Sequence, residues 1–199
     1  MNDEMVDQEI LERIQAGDKS ACALCIETYG APLYRLALRL MQDEAEAEDI
    51  VQESFMNAFK GIDSFEGRSG LGTWLYRITY NTAMMRLRKP SPDTISVETT
   101  LVNSDEGFKV PEQFYDWCCL PEADFQTDEV RAQLEAAIAT LTPSLRSAFT
   151  LRELEGLSTR EAAETLQVSE DVVKTRLRRA RLQLREELSE FFAERMEQL

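Results

Sequence analysis

Residues 151–188 read LRELEGLSTREAAETLQVSEDVVKTRLRRARLQLREEL, and apolar positions recur through them at spacings of three and four, the period of an α-helix. Gly156 ends one helix, and Ser158 with Glu161 forms a capping box that starts the next, which runs to about Leu166. A three-residue turn follows, and Ser169 caps a final long helix. Two helices across so tight a turn, the second strongly basic, predict a helix-turn-helix.

In the final helix Val173, Leu177, Ala180, Leu184 and Leu188 fall on one face, which is expected to be buried. Lys174, Arg178, Arg181 and Arg185 follow the same rhythm one position later and line an adjacent stripe, with Thr175, Arg176 and Arg179 beside them. Such a stripe suits phosphates and base edges in a major groove, where arginine and lysine pair with guanine. It also suits a merely solvated basic face, so the helix alone supports no more than a DNA-binding module.

Upstream, Thr142 and Pro143 form an N-cap and first-turn pair, and the helical domain that holds them is expected to begin near Thr127. Between Pro90 and Gln126 the periodicity fails. Pro90, Pro92, Pro111 and Pro121 interrupt it, and eight acids stand against the single Lys109, so this segment reads as an acidic linker. Its aromatics, Phe108, Phe114, Tyr115, Trp117 and Phe125, are too many for a purely flexible tether.

The first 89 residues are helical again. A short helix ends near Gly17, Asp18 caps the next to about Leu40, and Asp43 with Glu46 opens a third that stops near Gly61. The polar loop DSFEGRSG then leads into a helix from Leu71 to Arg88. The fold class is therefore all-α: two helical domains, 1–89 and 127–199, joined by the irregular linker 90–126.

The third of these helices turns Ile50, Val51, Ser54, Phe55, Ala58 and Phe59 inward and gathers Glu46, Asp49, Gln52 and Glu53 on the other side. That acidic stripe is either plain solvated surface or a docking face for a basic protein. In the helix 71–88, Arg77, Asn81, Met84 and Arg88 share a face with Trp74 at its edge and Tyr76 and Tyr80 near. Arginines, an amide and aromatic rings suit unstacked single-stranded bases, although most of these aromatics suit the core as well, and for Trp74 the core is the favoured reading.

The net charge of −15 argues against a nucleic-acid binder, until its distribution is considered. Residues 67–92 hold Arg68, Arg77, Arg86, Arg88 and Lys89 and no acid; residues 172–185 hold six bases and no acid. Two basic islands sit in an acidic chain. There is no histidine, which excludes histidine-based catalysis. Cys22 and Cys25 have CxxC spacing and could join Cys118 and Cys119 in a zinc site, but the run ACALCI favours thiols packed as small hydrophobes. No P-loop, nucleophile-base pair or metal-ligand cluster marks an enzyme, no cofactor is expected, and no run is apolar enough to span a membrane.

EAEDIVQESFMNAF (46–59), FEGRSGLGTWLYRITYNTAMMRLRK (65–89) and the stretch 151–188 together resemble regions 2.2, 2.3–2.4 and 4 of extracytoplasmic-function sigma factors, of the sigma-E-like kind within the sigma-70 family. The resemblance implies a chain that lends promoter recognition to core RNA polymerase. Asp49, Gln52 and Glu53 would meet the polymerase β′ subunit, with the linker passing through the enzyme and the β subunit as a further neighbour. Arg68, Trp74, Arg77, Asn81 and Arg88, with the loop 63–72, would capture melted minus-10 bases. Lys174, Thr175, Arg176, Arg178, Arg179 and Arg181 would read the minus-35 duplex. An anti-sigma factor is an expected partner, and the expected place is the cytoplasm, at the nucleoid when in holoenzyme. The chain departs from the family pattern in three places: Gly70 and Gly72 replace a serine and a larger, often basic residue; Gln167 replaces a glycine; Asp171 and Val172 replace a Gly-Thr. A plain duplex-binding regulator would leave residues 44–89 unexplained, and a structural adaptor would leave the acid-free basic islands unexplained.

Overall fold

The computed structural model describes residues 2–67, 69–88 and 128–196. Expectations for the linker, for Arg68 and for Cys118 and Cys119 fall outside them. The described elements are helical, with no strand among the described residues: α1 (Asn2–Gln15), α2 (Lys19–Met41), α3 (Glu44–Gly61), a 3-10 turn (Ile62–Ser64), α4 (Leu71–Arg88), α5 (Asp128–Thr140), α6 (Pro143–Phe149), which runs on into a π-helical turn (Thr150–Leu154), α7 (Thr159–Leu166) and α8 (Glu170–Met196).

The caps act at most of the places the sequence marks. Asp18 accepts from the Ser20 amide at 2.8 Å, and hydrogen bonds from Ser20 and then Arg13 hold its carboxyl down at about 2. Ser158 and Glu161 complete both halves of their box. Asp43 accepts from the Glu46 amide at 2.8 Å, but the Glu46 carboxylate turns instead to Arg86 at 2.7 Å. Gln167, at the position where the family pattern has glycine, ends α7 in the left-handed region with φ 55°. A side chain there carries a steric cost that glycine lacks, so Gln167→Gly is expected to stabilise the chain by about 0.5–1 kcal/mol, read as a higher urea midpoint at unchanged slope.

Two apolar clusters hold the molecule. The larger runs through α1 to α4, with Ile10, Leu33, Leu36, Ile50 and Leu75 at its centre, and continues into the second half through Ala148, Leu151, Ala162, Leu166 and Val173. The smaller joins Val130, Ile138 and Leu141 to Ala180, Leu184 and Leu188 of α8. The two halves therefore pack on each other, α4 against α7 and α2 against α6. Cys25 is 1% exposed in the larger cluster and Cys22 packs against it; burial pushes the Cys25 thiol up to about 12, as for a cysteine used as a hydrophobe.

Candidate nucleic-acid and polymerase interface

Ser169 receives the Val172 amide at 3.4 Å and starts α8. Val173, Leu177, Ala180, Leu184 and Leu188 are all buried, as the periodicity predicts. Lys174, Thr175, Arg178, Arg181 and Arg185 are exposed, and Arg176 and Arg179 half-exposed. The stripe is not bare: Lys174 Nζ lies 3.2 Å from Asp171, and Arg181 reaches Glu153 at 2.8 Å.

On α4, Arg77 and Asn81 are half-buried and Arg88 is exposed. Trp74 is 8% exposed, its ring tilted against Phe65 with centroids 5.1 Å apart, so of the two readings of this residue the core one describes it in this arrangement. Beside it Phe65, Gly67, Ser69 and Gly70 line one wall of an open cleft of about 650 Å³, whose other walls are α1 and the face of α7 that carries Arg160, Glu161 and Glu164.

Asp49, Gln52 and Glu53 are exposed on α3, opposite the buried Ile50, Ser54, Phe55 and Ala58. Sequence reasoning missed Arg86. From α4 it reaches Glu46 at 2.7 Å, Glu53 at 3.3 Å and Asp49 at 3.7 Å, gathering the acidic stripe around one guanidinium. Next to the stripe, α2 and α3 leave an apolar furrow lined by Ile26, Tyr34, Val51, Phe55, Met56 and Phe59, with Ile26 and Met56 about half exposed.

Apart from Tyr76, the junction between the halves is also built from residues the sequence did not single out. Glu155, whose side chain is 2% exposed, accepts from Arg35 Nε at 3.0 Å and Nη2 at 2.7 Å and from the Tyr76 hydroxyl at 3.2 Å, with Arg39 at 3.7 Å. Burial and the adjoining carboxylate push the Tyr76 phenol above its ordinary range. Among the described residues no cluster of three or more metal-ligating side chains occurs, and no helix is long and apolar enough to cross a membrane.

Residues 25–91 match the family model of Sigma-70 region 2 and residues 131–184 that of Sigma-70, region 4. The chain is 36% identical over 180 residues to the RNA polymerase sigma-H factor of Pseudomonas aeruginosa, covering 88% of this chain and 90% of that one. It is 35% identical over 186 residues to the ECF RNA polymerase sigma-E factor of Escherichia coli K12, covering 91% and 93%. The chain belongs to the extracytoplasmic-function sigma factors. Its fold is similar to that of the Bartonella quintana sigma factor RpoE, solved in complex with the anti-sigma factor NepR, with TM-score 0.61, 26% identity and coverage of 84% and 96%. It is also similar in fold to CnrH, solved with the cytosolic domain of CnrY, with TM-score 0.66, 21% identity and coverage of 92% and 97%.

The sigma factor binds core RNA polymerase and directs promoter-specific transcription initiation. It is an initiation factor and not a classical enzyme. The region 2 match takes in α3 and α4 and the region 4 match takes in α7 and the basic part of α8, while α1 lies outside both.

Proposed function

We propose that this sigma factor divides its work between residues 1–89 and 127–199, with 90–126 as the connection between them. Helix α8 reads the minus-35 duplex through Lys174, Thr175, Arg176, Arg178, Arg179 and Arg181. Helix α4 captures melted minus-10 bases with Arg77, Asn81 and Arg88, helped by Arg68 and Trp74. Asp49, Gln52 and Glu53 on α3 dock on the polymerase β′ subunit. The observation that carries this reading is the register of α8, in which Val173, Leu177, Ala180, Leu184 and Leu188 of one face are buried and Lys174, Arg178, Arg181 and Arg185 of the adjoining face are exposed.

Two local features shape how these surfaces engage. Arg86 already holds part of the acidic stripe, so a basic partner on α3 replaces one cation by another. Trp74 is packed on Phe65, so stacking a base on it requires Phe65 to move aside. The promoter elements, centred about 25 base pairs apart by their names, lie roughly 80 Å apart along B-form DNA. Packed halves do not span that distance, so promoter reading separates α4 from α7; the chain between residues 88 and 128 is long enough, with an extended reach of about 130 Å. The RpoE structure with NepR supports an anti-sigma partner for this chain also, and its kinship with sigma factors supports a cytoplasmic location, at the nucleoid when in holoenzyme.

The test is transcription by purified core polymerase from a candidate promoter with and without this chain, which is expected to confer promoter-specific initiation. In that holoenzyme Arg178→Ala is expected to cost about 1–3 kcal/mol of promoter affinity and to relax preference at one minus-35 position. Unchanged affinity and preference across a set of minus-35 variants would reduce the stripe to a solvated face.

A further inference from the structure

Gly72, the second residue of α4, has no room for a side chain. A Cβ at Gly72 would lie 3.0 Å from Cε1 of the Tyr29 ring, tighter than carbon neighbours ordinarily approach. The space left by the missing side chain is filled by Tyr29 of α2, whose hydroxyl donates to Asp7 of α1. The second oxygen of Asp7 accepts from the Leu71 amide at 3.1 Å, the first amide of α4, which no residue of its own helix can satisfy. A Cβ at Gly70, the residue before it, would lie 3.6 Å from the same carboxylate. One carboxylate thus joins α1, α2 and the end of the loop 63–72.

The anchor for this carboxylate is packed on the core. Ile10 is fully buried and Ile14 nearly so, which fixes α1 on the larger apolar cluster, and α1 touches both the 3-10 turn before the loop and α4 after it. The loop is consequently gripped at both ends by a helix outside the two matched regions.

We propose that Asp7, Tyr29 and Gly72 are positioning residues for strand capture: together they set where the loop 63–72 and the first turn of α4 stand when minus-10 bases are taken up. The proposal rests on the reading of α4 and its loop as the minus-10 site. The three residues act through the loop and touch no base themselves. In this chain glycine at 72 gives up a side chain facing the promoter and gains an anchored loop.

The experiment uses holoenzyme reconstituted with the full chain, on a promoter carrying both elements. Permanganate reactivity at minus-10 reports melting, and parallel titrations report core affinity and closed-complex formation. Tyr29→Phe, which keeps the ring and removes the hydroxyl, and Asp7→Ala are each expected to lower melting about fivefold with core affinity and closed complexes unchanged. Gly72→Ala separates positioning from stability, because alanine favours the helix and yet displaces Tyr29; melting is expected to fall while the thermal midpoint does not. Asn81→Ala, run beside them, tests the minus-10 reading alone: normal melting with that variant overturns the reading of α4 and not the strut. If Tyr29→Phe, Asp7→Ala and Gly72→Ala all melt the promoter as the parent does, the strut is overturned whatever Asn81→Ala shows.

Discussion

Replacing Arg146 by methionine is expected to destabilise the sigma factor by about 3–5 kcal/mol, more than any substitution on its exposed faces. The guanidinium is buried, the residue being 7% exposed, and desolvation lowers its pKa. The described structure gives it no carboxylate. Its partners are carbonyl oxygens: Ala139 at 2.6 Å, Leu141 at 2.7 Å, Arg39 at 3.0 Å, Ile138 at 3.2 Å and Leu40 at 3.5 Å. These belong to the last turns of α2 and α5 and the residue after α5, so one cation meets the negative ends of two helices that come from different halves of the chain. Methionine matches much of the volume and none of the donors, and leaves buried acceptors unsatisfied. Lysine, a single point donor without the planar fork, is expected to recover less than half of the loss. Urea unfolding of both variants checks this; a loss under about 1 kcal/mol for Arg146→Met would mean that the carbonyls find other donors.

Glu155→Ala is expected to loosen the two halves from each other at a cost of about 2–4 kcal/mol. The figure is held below that of a fully buried pair because Arg35, which makes the bidentate contact, is 48% exposed and rehydrates easily, whereas Arg39 is only 16% exposed and Tyr76 is buried. Alanine leaves the Tyr76 hydroxyl facing a void in place of an acceptor, while Arg39 keeps its 2.8 Å contact with Glu135. With fluorescent labels on α3 and α8, the mean distance in the free chain should lengthen in this variant. An unchanged distance together with unchanged urea stability would show that apolar contact between α4 and α7 suffices to hold the junction.

Both predictions concern residues invisible to periodicity, and that marks where sequence reasoning stops. The face of α8 was legible because burial and exposure alternate within one helix, at the helical period itself. The starts of α2 and α7 were legible because a cap is a local bargain between residues two or three apart. Arg146, Arg86 and Glu155 have partners tens of residues away, up to the 120 that separate Arg35 from Glu155, and no spacing rule links them. The π-helical turn 150–154 was hidden for a related reason. Its register change directly precedes Glu155 and that residue's contact with α2, and no spacing within its five residues marks it. The capping box at Asp43 and Glu46 formed only in half because Arg86, distant in sequence, offers Glu46 a charged donor. Among the site residues, those of α3 and four of the six on α8 stand exposed as their patterns suggest, whereas the place of Trp74 needed the position of Phe65, nine residues earlier and across a loop.

The pairs Lys174 with Asp171 and Arg181 with Glu153 change the thermodynamics of the basic stripe. A base that meets a DNA phosphate releases condensed cations from the double helix, about 0.9 per phosphate neutralised, and the entropy of that release drives sequence-independent binding. Here two of the bases arrive with carboxylates already beside them. When the phosphate takes the base, the stranded carboxylate recruits cations in turn, so the net number of ions set free is smaller than the number of bases in contact. The chain carries its own counterions, and the term they suppress is the one shared by every DNA sequence. Hydrogen bonds to base edges are untouched by this exchange and make up a larger fraction of what binding energy remains.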